Sequence, residues 1–236
     1  MAAARKPARP HAPRLAREQR VDEILVSARD VFCERGYEAA SVAEIATRIG
    51  VVEGLVYKYF STKRELLLQV LERWYDELFG DTERALAGVA EHRDRVRVLV
   101  RHHLRAVRDY PQLCKLMFRE VQEETKYHGS SLHARNRRYT QYLVDEIDAG
   151  QRAGVFRADV PSRLLRDLVY GGIEHVTWNY VRGHGRLDID LLAEQITSLL
   201  CEGLATKSPL SPTDVEERAG VRGRSPNART GINKTS

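Results

Sequence analysis

The chain has 236 residues, 42% of them hydrophobic and 30% charged, with a formal net charge of +5 at pH 7. That length and balance give one or two compact domains with a real core, and three scattered cysteines (Cys33, Cys114 and Cys201) exclude a disulfide framework or a zinc ribbon. No apolar run approaches the ~20 residues of a membrane-spanning helix, and the opening MAAARKPARPHAPR is basic without the apolar stretch of a secretory signal, so a cytoplasmic protein with no membrane partner is expected.

The positive charge is localised. Residues 1–17 hold five basic side chains and no acid, and residues 206–236 hold six basic against three acidic ones, which leaves 18–205 at a net −3. The first segment, with Pro7, Pro10 and Pro13, is expected to be a disordered basic arm attracted to polyanions such as nucleic acid. A solubilising leader fits the charge equally well. The last segment, rich in Ser, Pro, Gly, Arg and Asn, is expected to be a disordered tail.

Between the tails only Pro111 and Pro161 interrupt the chain, and period-2 alternation is missing, so the body is expected to be all-α. A first helix over about 17–35 places Val21, Ile24, Ala28, Val31 and Phe32 on one face, and Gly36 ends it. Ser41 to Glu44 forms a capping box that opens a short helix burying Val42, Ile45, Ala46 and Ile49 before Gly50. A third short helix spans about 52–59, and Ser61-Thr62 caps a fourth that reaches Phe79. Longer helices follow at about 82–90, 93–109, 111–127, 131–153, 162–182 and 188–205, with Pro111 in a first-turn position.

Two short helices joined through a glycine and cradled by a longer one form a helix-turn-helix pattern. The stretch GYEAASVAEIATRIGVVEGLVYKYFSTKREL over 36–66 closely resembles the DNA-binding motif of TetR/AcrR-type transcriptional regulators, and the likeness extends over 18–78. The resemblance implies an N-terminal three-helix DNA-binding domain over 18–78, with its motif at 41–60, and a helical effector-binding and dimerisation domain over 79–205. It implies a repressor released from a palindromic operator by an apolar small molecule. The other readings are an architectural DNA binder without an effector, and a helical small-molecule binder with weakened DNA recognition.

In that reading the helix near Val52 enters the major groove. Arg48, Glu53 and Leu55 are then near base edges, for guanine, cytosine and a thymine methyl respectively. Tyr57, Lys58, Tyr59, Lys63 and Ser41 are placed for phosphate contacts, while Val56 and Phe60 point inward. Val52 departs from the usual Ser or Thr cap. Against this, Ser41 and Glu44 are a cap in any case, and an exposed tyrosine pair flanking a lysine also suits a solvated helix face.

Leu164, Leu165, Leu168, Leu192, Ile196 and Leu199 form stripes suited to a four-helix dimer interface, or to intramolecular core. The candidate effector pocket comprises Trp74, Leu78, Leu104, Leu113, Leu116, Met117, Tyr139, Tyr142, Tyr170, His175 and Trp178. The segments 170–180 and 111–120 look like the ligand domain of fatty-acyl-CoA-responsive members, making an acyl-CoA the first candidate. No metal-ligand spacing, nucleophile elbow or phosphate loop occurs, so neither catalysis, a metal nor a cofactor is expected.

Overall fold

The computed structural model describes residues 12–122 and 126–204, with side chains from Ala16 onward. The tail over 206–236 and most of the basic arm lie outside the described residues. Among the described residues there is no strand. Helix α1 (Ala12–Ala39) begins before the expected start near Arg17, and Gly36 breaks its regularity with φ 76° and ψ 169°. Ile24, Ala28, Val31 and Phe32 are fully buried, as their spacing requires.

Helix α2 (Val42–Arg48) starts at Ser41, whose Oγ accepts the Glu44 N–H at 3.1 Å. Gly50, at φ 68°, makes the turn into α3 (Glu53–Val56), which is shorter than expected and has no side-chain cap at Val52. Val56 and Phe60 are buried and fix this short unit to α1 and α4. Thr62 caps α4 (Lys63–Leu86) by accepting the Glu65 N–H at 3.0 Å.

Helix α4 does not stop at Phe79, and there is no separate helix over 82–90. Glycine inside a helix costs ~1 kcal/mol, and the burial of Phe79 and Thr82 on either side of Gly80 outweighs that cost. One continuous helix therefore runs from the head into the body.

The body comprises α5 (His92–Asp109), α6 (Pro111–Leu116), α7 (Ser131–Arg152), α8 (Ser162–Val181) and α9 (Ile189–Leu204). The sequence predicts a single helix over 111–127, but α6 passes at Met117 into a π-helical turn, Met117–Gln122. This wider turn buries Met117 and Val121. One apolar cluster runs from the head along α4 to α6, and a second joins α5, α7, α8 and α9.

Gly150, late in α7, lies under the Phe156 ring: a Cβ there would stand 2.3 Å from a ring carbon. Phe156 is buried and its N–H is bonded to the Gly150 carbonyl, which keeps the two backbones close and leaves the ring little room. Gly150→Ala is expected to destabilise the fold by ~1–3 kcal/mol through overpacking, read from the denaturation midpoint.

Candidate nucleic-acid interface and ligand cavity

Beyond the scaffold formed by α1 and α4, the head presents the α2–α3 unit. Glu53, Gly54, Tyr57 and Lys58 are exposed, while Leu55 and Tyr59 are half-buried. Val52 is 75% exposed, a large apolar side chain at the start of α3. The sequence assigned the apolar base contact to Leu55; Val52 projects further, and its signal was the missing polar cap. The Arg17 guanidinium lies 5.9 Å from the Tyr59 ring centre, which sets α1's first turns beside the α3 end.

Two residues expected at DNA also make contacts within the head. Lys63 donates from Nζ to the carbonyls of Tyr37 (2.8 Å), Glu38 (3.3 Å) and Ala40 (3.1 Å), and sits 4.5 Å from the Tyr37 ring centre. It closes the C-terminal end of α1, where cations satisfy orphan carbonyls, so its three N–H donors are directed into the head. Arg48 donates to both carboxylate oxygens of Glu34, at 2.8 and 2.5 Å, and to Glu44 at 3.0 Å. These bonds to Arg48 hold the Glu34 carboxyl below its ordinary range. The pairing fastens α2 to α1 rather than aiming the guanidinium outward. Ser41 Oγ likewise serves its helix cap.

In the body, a cavity of about 590 Å³ opens between α4, α5, α6, α7 and α8, within the size range of small-molecule sites. Of the expected lining, Trp74, Leu78, Met117, Tyr139 and Tyr170 are on its wall. Leu104, Leu113 and Leu116 are not. They are buried in the two apolar clusters, because a helical stripe aimed at core and one aimed at a cavity have the same period. Tyr142 stands outside, its hydroxyl donating to Glu83 at 2.9 Å. His175 and Trp178 line an adjoining surface cleft, with the Arg119 guanidinium 5.8 Å from the Trp178 ring.

Sequence reasoning did not place the polar share of the wall. His103, Asn136, Arg137 and Thr140 contribute, as do Tyr75, Tyr127, Arg163 and Glu174. Asn136 accepts from the Tyr75 hydroxyl at 3.2 Å and donates to the Tyr127 hydroxyl at 3.0 Å. At the exposed rim stand Arg137 and Arg163, which have no acidic partner among the described residues, while Arg166 pairs with Asp167 at 2.8 Å. Cys114 also touches the cavity, but burial pushes its thiol up to about 12, which keeps it protonated and unreactive.

The π-helical turn links cavity to head. Phe118 and Gln122 line the cavity, and the carbonyl of Glu120 between them accepts from Arg64 Nη2 at 2.6 Å. Arg64 lies in the first turn of α4 and also stacks toward Tyr37 at the end of α1.

Helices α8 and α9 leave an apolar face uncovered. Leu164, Leu168 (62% exposed) and Leu199 (77% exposed) project outward, while Leu192 and Ile196 are half-buried in the groove between them. Leu165 is instead 6% exposed and packs inside the chain. Val176, exposed on the same groove, was unanticipated from the sequence.

A helix-turn-helix head on a shared helix with a cavity-bearing helical body defines a two-part DNA-binding helical protein. The chain belongs to the tetR family of bacterial regulatory proteins: residues 24–70 match that family's model and residues 89–204 match the tetracyclin repressor-like C-terminal domain. It is 42% identical over 87 residues to the transcriptional activator FasR of Mycolicibacterium smegmatis, a match covering 37% of this chain and 40% of that protein. It is 27% identical over 193 residues to the transcriptional repressor KstR2 of Rhodococcus jostii, covering 78% of this chain and 90% of KstR2. Its fold matches the structure of Bacillus subtilis FadR in complex with stearoyl-CoA at TM-score 0.69 and 20% identity, covering 78% of this chain and 98% of that one. Among the described residues no helix is long and apolar enough to cross a membrane.

Proposed function

We propose that the protein is a homodimeric, sequence-specific DNA-binding transcriptional regulator whose operator affinity is set by a small, largely apolar effector in the cavity. One observation carries this reading: α4 begins in the DNA-reading head and lines the cavity with Trp74, Tyr75 and Leu78. A ligand that changes the wall also changes the helix on which the head is mounted. The effect is limited by the ligand's differential affinity for the two states, and ~1–3 kcal/mol corresponds to roughly 5–150-fold in operator affinity.

Val52, Glu53 and Leu55 face base edges in this reading, with Tyr57, Lys58 and Tyr59 at phosphates. Arg48 and Lys63 position the α2–α3 unit, and Ser41 caps it. The roles separate experimentally. Lys58→Ala is expected to lower the slope of log affinity against log salt by ~0.9, the loss of one phosphate contact. Lys63→Ala is expected to leave that slope unchanged and to lower the unfolding midpoint, because three carbonyls lose their donor. Salt titrations of both variants on one duplex, with denaturation curves, decide between these roles.

A long-chain acyl-CoA is the first effector candidate. The likeness to FadR supports the fold alone; what supports the ligand is an aromatic and apolar wall with Arg137 and Arg163 at the rim, placed for phosphates. The test is a titration of palmitoyl-CoA into a preformed protein–operator complex followed by fluorescence anisotropy. Release at micromolar ligand supports the assignment, and release only by another ligand class removes it.

A further inference from the structure

Several polar groups on the cavity wall lack a partner among the described residues, the Trp74 indole Nε1 being one. The Tyr170 hydroxyl makes no hydrogen bond among the described residues, and neither does either ring nitrogen of His103. Their rings meet edge-on with centroids 4.8 Å apart. Tyr139 beside them is different, since its hydroxyl lies 3.3 Å from His102 Nδ1. Within His103, Nδ1 is sealed inside the protein with no acceptor nearby. A proton there would be a buried unsatisfied donor, costing ~1–3 kcal/mol, so the neutral ring carries its proton on Nε2, the nitrogen left in contact with the cavity.

Burial, with a smaller contribution from His102, pushes the His103 imidazole down to about 4, and burial pushes the Tyr170 phenol up. Both groups are therefore uncharged donors at neutral pH. They offer no counter-charge to a carboxylate, but a neutral oxygen in the ligand satisfies them both. A plain hydrocarbon would leave them dry and unpaired, the situation that sites built to hydrogen-bond a ligand oxygen reject.

We propose that the effector carries an uncharged oxygen, a carbonyl or hydroxyl, within its apolar body, accepted by the Tyr170 hydroxyl and the His103 Nε2–H. This rests on the cavity being the effector site, and it narrows the ligand class from plain chains or rings to oxygenated ones.

The test uses the full chain and two matched pairs: palmitoyl-CoA with its mid-chain oxo counterpart, and perhydrophenanthrene with the corresponding ketone. Binding is read from the fluorescence of Trp74, which lies on the same wall. The oxygenated member of a pair is expected to bind about five- to tenfold tighter, the return of one or two neutral hydrogen bonds. Tyr170→Phe, which removes only the hydroxyl, is expected to reduce that preference at least twofold. Equal binding of both members, or a preference that survives intact in Tyr170→Phe, overturns the proposal while the effector cavity stands. Failure of all four compounds to bind, where an unrelated ligand binds the cavity and releases the operator, also overturns the proposal.

Discussion

Leu199→Glu combined with Leu168→Glu is expected to yield a monomer and to reduce operator affinity by at least ~10³-fold, the gap between specific and non-specific binding. Both side chains project from the apolar α8–α9 face and make little contact within the chain, so their replacement leaves the protomer core intact. In a two-fold interface each glutamate faces the same patch on the partner, which buries like charges without counter-ions. A single head covers only a short half-site. Specificity needs two heads about one helical turn apart, ~34–36 Å, and the dimer sets that distance. Sedimentation and anisotropy on the same preparation check this, with helical circular dichroism as the folding control. A double variant that remains dimeric would move the interface to another face.

Arg64→Ala is expected to weaken the coupling of the cavity to the head, which α4 and this contact share. The Arg64 guanidinium bonds the Glu120 carbonyl at 2.6 Å, and Phe118 and Gln122 on either side of Glu120 form cavity wall. A π-helical turn is a natural place for such a link, because returning to α geometry shifts register by one residue and moves that carbonyl. In the intact protein, saturating palmitoyl-CoA is expected to weaken operator binding roughly 5–150-fold. In Arg64→Ala the ratio should fall below about threefold, with ligand affinity in the absence of DNA nearly unchanged. Two isotherms with and without ligand measure the ratio. An unchanged ratio would assign the coupling to α4 itself.

The helices of this protein were largely legible because their ends are chemically marked. Ser41 and Thr62 accept the amides expected of caps, Gly50 takes a left-handed conformation in the turn after α2, Gly36 marks a kink within α1 rather than its end, and Pro111 starts α6. The reading failed where packing overruled local preference. Gly80 looked like a boundary, but Phe79 and Thr82 bury enough surface to carry α4 through it. The π-helical turn has no signature in residues 117–122 that we can identify.

The site was less legible than the fold. Arg48 and Lys63 carry the right charge for DNA, but their partners, Glu34 and the carbonyls of Tyr37, Glu38 and Ala40, are distant in sequence and come close only through the tertiary fold. The cavity failed similarly. Leu104, Leu113 and Leu116 satisfy the apolar period of either core or wall, whereas Asn136, Thr140 and Arg163 read as solvated positions until α7 and α8 are placed. The uncovered apolar face of α8 and α9 was better marked, since leucines repeated along two final helices exceed what one core can cover.

The central claim is that this chain recognises a specific duplex sequence as a dimer. Selection of bound duplexes from a random-sequence pool at ~0.15 M salt tests it most directly, because non-specific attraction to phosphates is weak there. The account predicts enrichment of an inverted repeat whose half-sites lie about one helical turn apart. A pool that remains unenriched after successive rounds, or that converges on a single unrepeated half-site, would contradict it.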